Sequence, residues 1–210
     1  MIRKMIGTIF VLLIAIFILS VVSIFLLKNR DIHVVFSAPY NDKNQSILNW
    51  DNELNLQQSH NACGPYSTMA YAFLNSGIKI DPEKINREIG GRHGDGLTYP
   101  WGITTYLNQH GNEARSFYLG FLSKNEKINW IKNKILEGRP VIVLVGTLEW
   151  GHYITILGYK DDVFFKYDSY LSEDLNGEEI GNASVYMKDV IAEMEGMRFR
   201  GIAPNLVISY

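Results

Sequence analysis

Residues 5–27 form a run without one charged side chain, interrupted only by Gly7, Thr8, Ser20 and Ser23. At a helical rise of ~1.5 Å per residue such a run crosses a hydrocarbon core of about 30 Å. A helix buried in a globular core is normally shorter or keeps a polar face. The run therefore predicts a single membrane-spanning anchor, residues 1–30 with its basic flanks. A cleaved secretory signal, releasing a secreted domain, is the alternative, since Arg3 and Lys4 precede the run. Its length exceeds the usual apolar stretch of roughly 7–15 residues, and Lys28 and Arg30 separate it from the nearest small-residue site at Val35-Phe36-Ser37. No cysteine directly follows the span, which excludes a lipid-modified start. Basic residues are nearly balanced across the span. A short basic tail that stays cytoplasmic would put residues 31–210 outside the cytoplasm, at the cell membrane.

The 210-residue chain holds 20 Lys+Arg against 22 Asp+Glu. Four of the bases and none of the acids lie in residues 1–30, so the remainder is mildly acidic. That balance argues against a nucleic-acid partner. No phosphate-binding loop of the form G-x-x-x-x-G-K-[ST] is present, which argues against a nucleotide. With 47% apolar and 12% aromatic residues, the body has ample material for a packed core. Cys63 is the single cysteine, so neither an intramolecular disulfide nor a multi-cysteine zinc site can form. A lone thiol is ordinarily a small buried hydrophobe, and a functional role has to be argued from its surroundings.

Residues 31–55 are rich in Asn and Asp around Pro39, and after a short strand at 32–36 they read as a stalk. A compact domain is expected over 56–210. Apolar residues recurring at three and four predict a helix over 63–75, stopped by Gly77. Asp81-Pro82 opens a second helix to residue 89. A glycine-rich loop at 90–96 precedes a helix over 100–110. Ser123 and Glu126 have the form of a capping box, followed by the stripe Ile128, Ile131, Ile135 and Leu136. The second half changes character: 141–145, 152–159 and 163–167 are β-branched or aromatic runs divided by short turns, expected as an antiparallel sheet. A helix over 183–194 and a closing strand at 206–210 complete an α+β domain.

Cys63 falls in the first turn of its helix, where unsatisfied backbone N–H groups and the positive end of the macrodipole favour a thiolate. Gly64 beside it would admit a substrate backbone. Gln57, six residues earlier, is placed to offer its amide to an oxyanion, with Gln58 the neighbouring alternative. His152 opens a strand and Asp168 follows the next one, so adjacent antiparallel strands bring the two together. A carboxylate on one imidazole nitrogen leaves the other to take a proton from a thiol. Cys63, His152 and Asp168 are thus a chemically complete set.

The order Gln57, Asn61-Ala62-Cys63-Gly64-Pro65-Tyr66-Ser67, Gly138-Arg139-Pro140-Val141-Ile142-Val143, Gly151-His152-Tyr153, Gly158-Tyr159 and Tyr167-Asp168 resembles the papain-like cysteine peptidases related to bacteriocin-processing, double-glycine leader peptidases. The resemblance runs from about residue 57 to 168. It implies a papain-like fold in a bacterial protein, with Cys63 leading the central helix, His152 and Asp168 on the sheet half and Gln57 in the oxyanion hole. It implies a peptide or protein substrate and no cofactor. Two departures stand out. A single span without an ATPase gives no reason to expect a double-glycine leader, and Ser169 stands where stand-alone relatives often carry proline after the aspartate. Asp161 and Asp162 are lesser candidates for orienting the histidine.

Trp150 and Gly151 precede His152 and are expected to wall the substrate cleft, with Trp101 a further candidate. His93 and Asp95 are expected at the cleft edge or as decoration of the glycine loop. His60 lacks a ligand cluster, so no metal is expected. The overall expectation is a membrane-anchored thiol hydrolase working through an acyl-enzyme. Transfer of the acyl group to an amine is a second reaction for the same site, and an inactive peptide-binding module is the reading from another class. The sequence says nothing of oligomeric state.

Overall fold

The computed structural model describes residues 2–171 and 180–210, with the backbone alone at residues 2–9, 24, 27 and 28. The first element is a helix, α1 (Ile2–Lys28). Among the described residues no helix is long and apolar enough to cross a membrane. The longest stretch of α1 with described side chains, residues 10–23, is about 21 Å long at the helical rise, short of a bilayer core. The side chains of 5–9, 24 and 27 in the expected span lie outside the described residues. The expected helix is therefore present, while its crossing of a membrane is not shown.

The body is built on one sheet. Its strands are β1 (Ile32–Val34), β2 (Gln45–Ile47), β3 (Arg115–Tyr118), β4 (Val141–Gly146), β5 (Gly151–Lys160), β6 (Val163–Tyr167), β7 (Ala183–Tyr186) and β8 (Leu206–Ser209). They run in the order β1-β3-β8-β4-β5-β6-β7, with β2 paired to β5. All pairings are antiparallel except β1 with β3. The strand expected at 32–36 is present as β1, whereas the stalk expected over the rest of 31–55 is corrected: Gln45–Ile47 is a strand of the sheet, and Leu48 and Leu54 are buried. The polar neighbours of β2 mask it, because an edge strand needs only a few apolar side chains facing inward.

The helices of the body are α2 (Cys63–Ser76), α3 (Pro82–Glu88), α4 (Pro100–Gln109), α5 (Lys124–Leu136) and α6 (Met187–Gly196). Period-two alternation in β4 sorts the core into two layers. Ile142 and Leu144 pack with Met69 and Ala70 of α2, Ile85 of α3 and Ile103 of α4. Val141, Val143 and Val145 face the other way, onto Trp130 and Ile131 of α5 and Ile191 and Met194 of α6. Every residue of β4 is buried, as a strand covered on both faces requires. The domain is α+β as expected, but helices cover both faces of one sheet instead of forming a separate half.

Local signals were largely obeyed. Gly77 adopts φ 71° and caps α2 through its N–H to Phe73 O, a left-handed conformation that glycine takes without a Cβ penalty. Ser123 and Glu126 form the complete capping box at α5. The helix expected over 183–194 divides, because Ala183–Tyr186 pair with β6 before α6 begins.

Candidate active site

α2 begins at Cys63 after Ala62, which makes no side-chain cap, and its first turn contains no acid. Pro65 carries no N–H, and Tyr66 N–H already bonds Ala62 O at 3.1 Å. The uncommitted donors of that turn are the N–H groups of Cys63 and Gly64, at the positive end of the helix. Before the helix the chain turns through Asn61, held at φ 53°, whose side-chain amide donates to Asp95 O at 2.6 Å. Cys63 is 5% exposed.

His152 is the second residue of β5, opposite Val145 of β4, and Asp168 follows β6 directly. His152 Nε2 lies 2.7 Å from Asp168 Oδ1. An N–H donated there leaves Nδ1 free on the other side of the ring, and Cys63 borders the same cavity. Burial works against a charged imidazole, yet the hydrogen bonds to Asp168 and Cys63 outweigh it and raise His152 to about 9. Burial likewise opposes ionisation of Asp168. Its hydrogen bond to His152 and the charges of His152 and Lys166 nevertheless hold the carboxyl well below the usual carboxylate range. Asn182 grips the backbone here from both sides: its Oδ1 accepts from Asp168 N–H and its amide donates to Asp168 O, each at 2.8 Å.

Cys63, His152 and Asp168 line one cavity of about 570 Å³ together with Gln58, Leu97, Trp150 and Phe199. Gly151 and Asp95 also border it. Asp95 is tied to His93 Nδ1 at 2.9 Å and to Arg200 at 2.6 Å.

Four expectations are corrected. Gln57 is exposed, does not border the cavity and sends its amide to Tyr170 O at 3.5 Å, whereas Gln58 borders it. The register is fixed by Gln58 N–H to Ser169 O at 2.7 Å and by Tyr167 Oη to Leu56 O at 2.7 Å. Ser169 Oγ donates to Gln58 Oε1 at 2.7 Å, which leaves the Gln58 amide N–H groups for the cavity. Gly64 does not border the cavity; a Cβ there would come within 2.7 Å of Thr98, so its small size serves the packing of α2. Trp101 lies outside the cavity and carries the Arg30 guanidinium 3.8 Å above its ring. Asp161 and Asp162 border a second cavity, beside Tyr40 and Lys132, and Asp161 N–H bonds Asn44 O.

Lys166 and Asn182, and the bond from Ser169 to Gln58, are not announced by the sequence. The one available signal was Lys166, a charged residue within the apolar run 163–167. Among the described residues no cluster of three or more His, Cys, Asp or Glu is arranged to hold a metal.

A model of the peptidase C39-like family matches residues 31–191. Among solved structures, the chain is similar to a protein from Bacillus anthracis described as a C39-like peptidase. The two share 14% identity at a TM-score of 0.51, with 80% of this chain and 98% of that one covered. At that identity the likeness is one of fold. A search of curated proteins returned no match.

Proposed function

The chain belongs to the peptidase C39-like family, and on that premise we propose that it is a thiol peptidase whose nucleophile is Cys63. The carrying observation is the 2.7 Å bond from His152 to Asp168 at the cavity that Cys63 also lines. His152 takes the thiol proton, the sulfur adds to an amide carbonyl, and the imidazolium returns the proton to the leaving amine. Water then releases the acyl group from sulfur. The Cys63 N–H and the Gln58 amide are the oxyanion donors of this scheme.

We further propose that α1 anchors the enzyme in a membrane with residues 31–210 outside the cytoplasm. Supporting this are the uncharged run 5–27 and the exposure of Phe10, Phe17 and Leu19 on α1.

The test is turnover of a quenched fluorescent peptide library. Cys63→Ala is expected to abolish cleavage while leaving the far-UV dichroism unchanged, and full activity in that variant ends the proposal. The imidazolium must be present to protonate the leaving amine, so activity is expected to fall as pH rises through about 9, where His152 loses its proton. A rate that climbs through that range would contradict the assigned acid.

A further inference from the structure

The triad carboxylate has a second cationic partner. Asp168 Oδ1 accepts from His152 Nε2 at 2.7 Å and from Tyr170 N–H at 3.1 Å, while Oδ2 accepts from Lys166 Nζ at 2.7 Å. The Lys166 and Asp168 side chains are 16% and 10% exposed, so this is a pair largely withdrawn from water and not a surface contact of little worth. Its geometry is held at both ends. Lys166 sits in β6, its carbonyl accepts from Asn182 N–H at 3.2 Å, and the Asn182 side chain grips the Asp168 backbone.

Charge counting gives the pair a meaning. A thiolate, an imidazolium and a carboxylate together carry one net negative charge, and burying it is costly. The Lys166 ammonium makes the cluster neutral. It also draws on the same carboxylate that stabilises the imidazolium, so the two cations compete for one anion.

Resting on the thiol-peptidase reading, we propose that Lys166 is a positioning residue of this site: it shares the Asp168 carboxylate with His152 and so limits how tightly the imidazole holds its proton. It touches no reacting atom and acts only through Asp168. The other titratable groups beside His152 are Cys63 from α2 and Tyr170 after β6, while Tyr153, next to it on β5, is coupled to Cys63. Asp95, paired with Arg200, and Glu149 face it across the cavity. Tyr167 neighbours Asp168 on β6.

The test is the titration of His152, followed by ¹⁵N imidazole NMR in the full-length chain carrying Lys166→Met or Lys166→Arg. Removing the competing cation is expected to move the His152 midpoint upward by about half a pH unit or more. Lys166→Arg, which keeps the charge, is expected to restore it. An unmoved or lowered midpoint in Lys166→Met overturns the assignment, as does an equal shift in Lys166→Arg. Should Lys166→Met fail to fold, Lys166→Gln is titrated against the same criterion. In the unaltered chain the Lys166 ammonium resonance is expected to be protected from exchange at neutral pH, and exchange as fast as that of surface lysines overturns the proposal too. The two readings fail separately. Iodoacetamide reactivity of Cys63 that is indifferent to His152→Ala sinks the peptidase reading whatever Lys166 does, whereas an unmoved His152 midpoint sinks Lys166 alone.

Discussion

Two adjacent glutamines divide between solvent and cavity because of hydrogen bonds made more than a hundred residues away. Gln58 N–H to Ser169 O and Ser169 Oγ to Gln58 Oε1 fix both the backbone and the amide orientation of one residue. Gln57 is left to an outward contact with Tyr170 O at 3.5 Å, the limit of a useful bond. Loss of one oxyanion donor costs about 10²–10³ in kcat where that donor acts in the transition state. Gln58→Ala is accordingly expected to lower kcat by roughly two orders of magnitude, with Gln57→Ala within about twofold of the parent. Steady-state kinetics on the peptide cleaved in the library screen decide it; the opposite ranking would return the role to Gln57. This is also where the sequence stopped being legible. Cys63, His152 and Asp168 could be read from order and spacing, because helix starts and strand ends announce themselves locally. The choice between Gln57 and Gln58 depends on a distant register that no local pattern encodes.

Elements show the same division between local and distant information. Helices α2 to α5 were visible from caps, stops and apolar stripes, all of which act within one or two turns. The strands β2 and β3 were not, since three or four residues give too short an alternation to separate from a loop, and β2 exists only through its partner β5. The helix expected over 183–194 lost its first turn to β7 because pairing with β6 satisfies those backbone groups instead. That pairing also carries Asn182 against Asp168, so an edge strand outside the cavity holds the backbone of Asp168. Asn182 is 3% exposed, and its removal strips partners from both an N–H and a C=O in the interior. Asn182→Ala is expected to destabilise the domain by about 2–4 kcal/mol. It is also expected to slow iodoacetamide alkylation of Cys63 as Asp168 loses its aim. Chemical denaturation and alkylation at neutral pH check the two effects, and a loss below about 0.5 kcal/mol would mean that solvent replaces the amide at no penalty.

For the whole molecule, the informative junction is where α1 meets the body. Asn29 Oδ1 accepts from Ala203 N–H at 2.6 Å, and its amide donates to Gly201 O at 3.2 Å. Arg30 lies over Trp101 at 3.8 Å. The segment receiving Asn29 also supplies Phe199 to the cavity wall and Arg200 to Asp95, so the exit of α1 and the cleft share a short stretch of backbone. Asn29 and Arg30 thus act as part of the domain, although composition assigns them to the flank of the apolar run. Cutting the chain after residue 30 removes an acceptor from Ala203 N–H and the guanidinium stacked on Trp101, together worth about 1–2 kcal/mol. A soluble fragment starting at residue 29 is therefore expected to melt about 2–4 °C or more above one starting at residue 31, by scanning calorimetry under identical conditions. Equal melting temperatures would mean that α1 leaves the body without a fixed junction. A difference of the expected size would instead make residues 29–30 the proper start of the folded unit, with the helix held in a set direction beside the cleft it precedes.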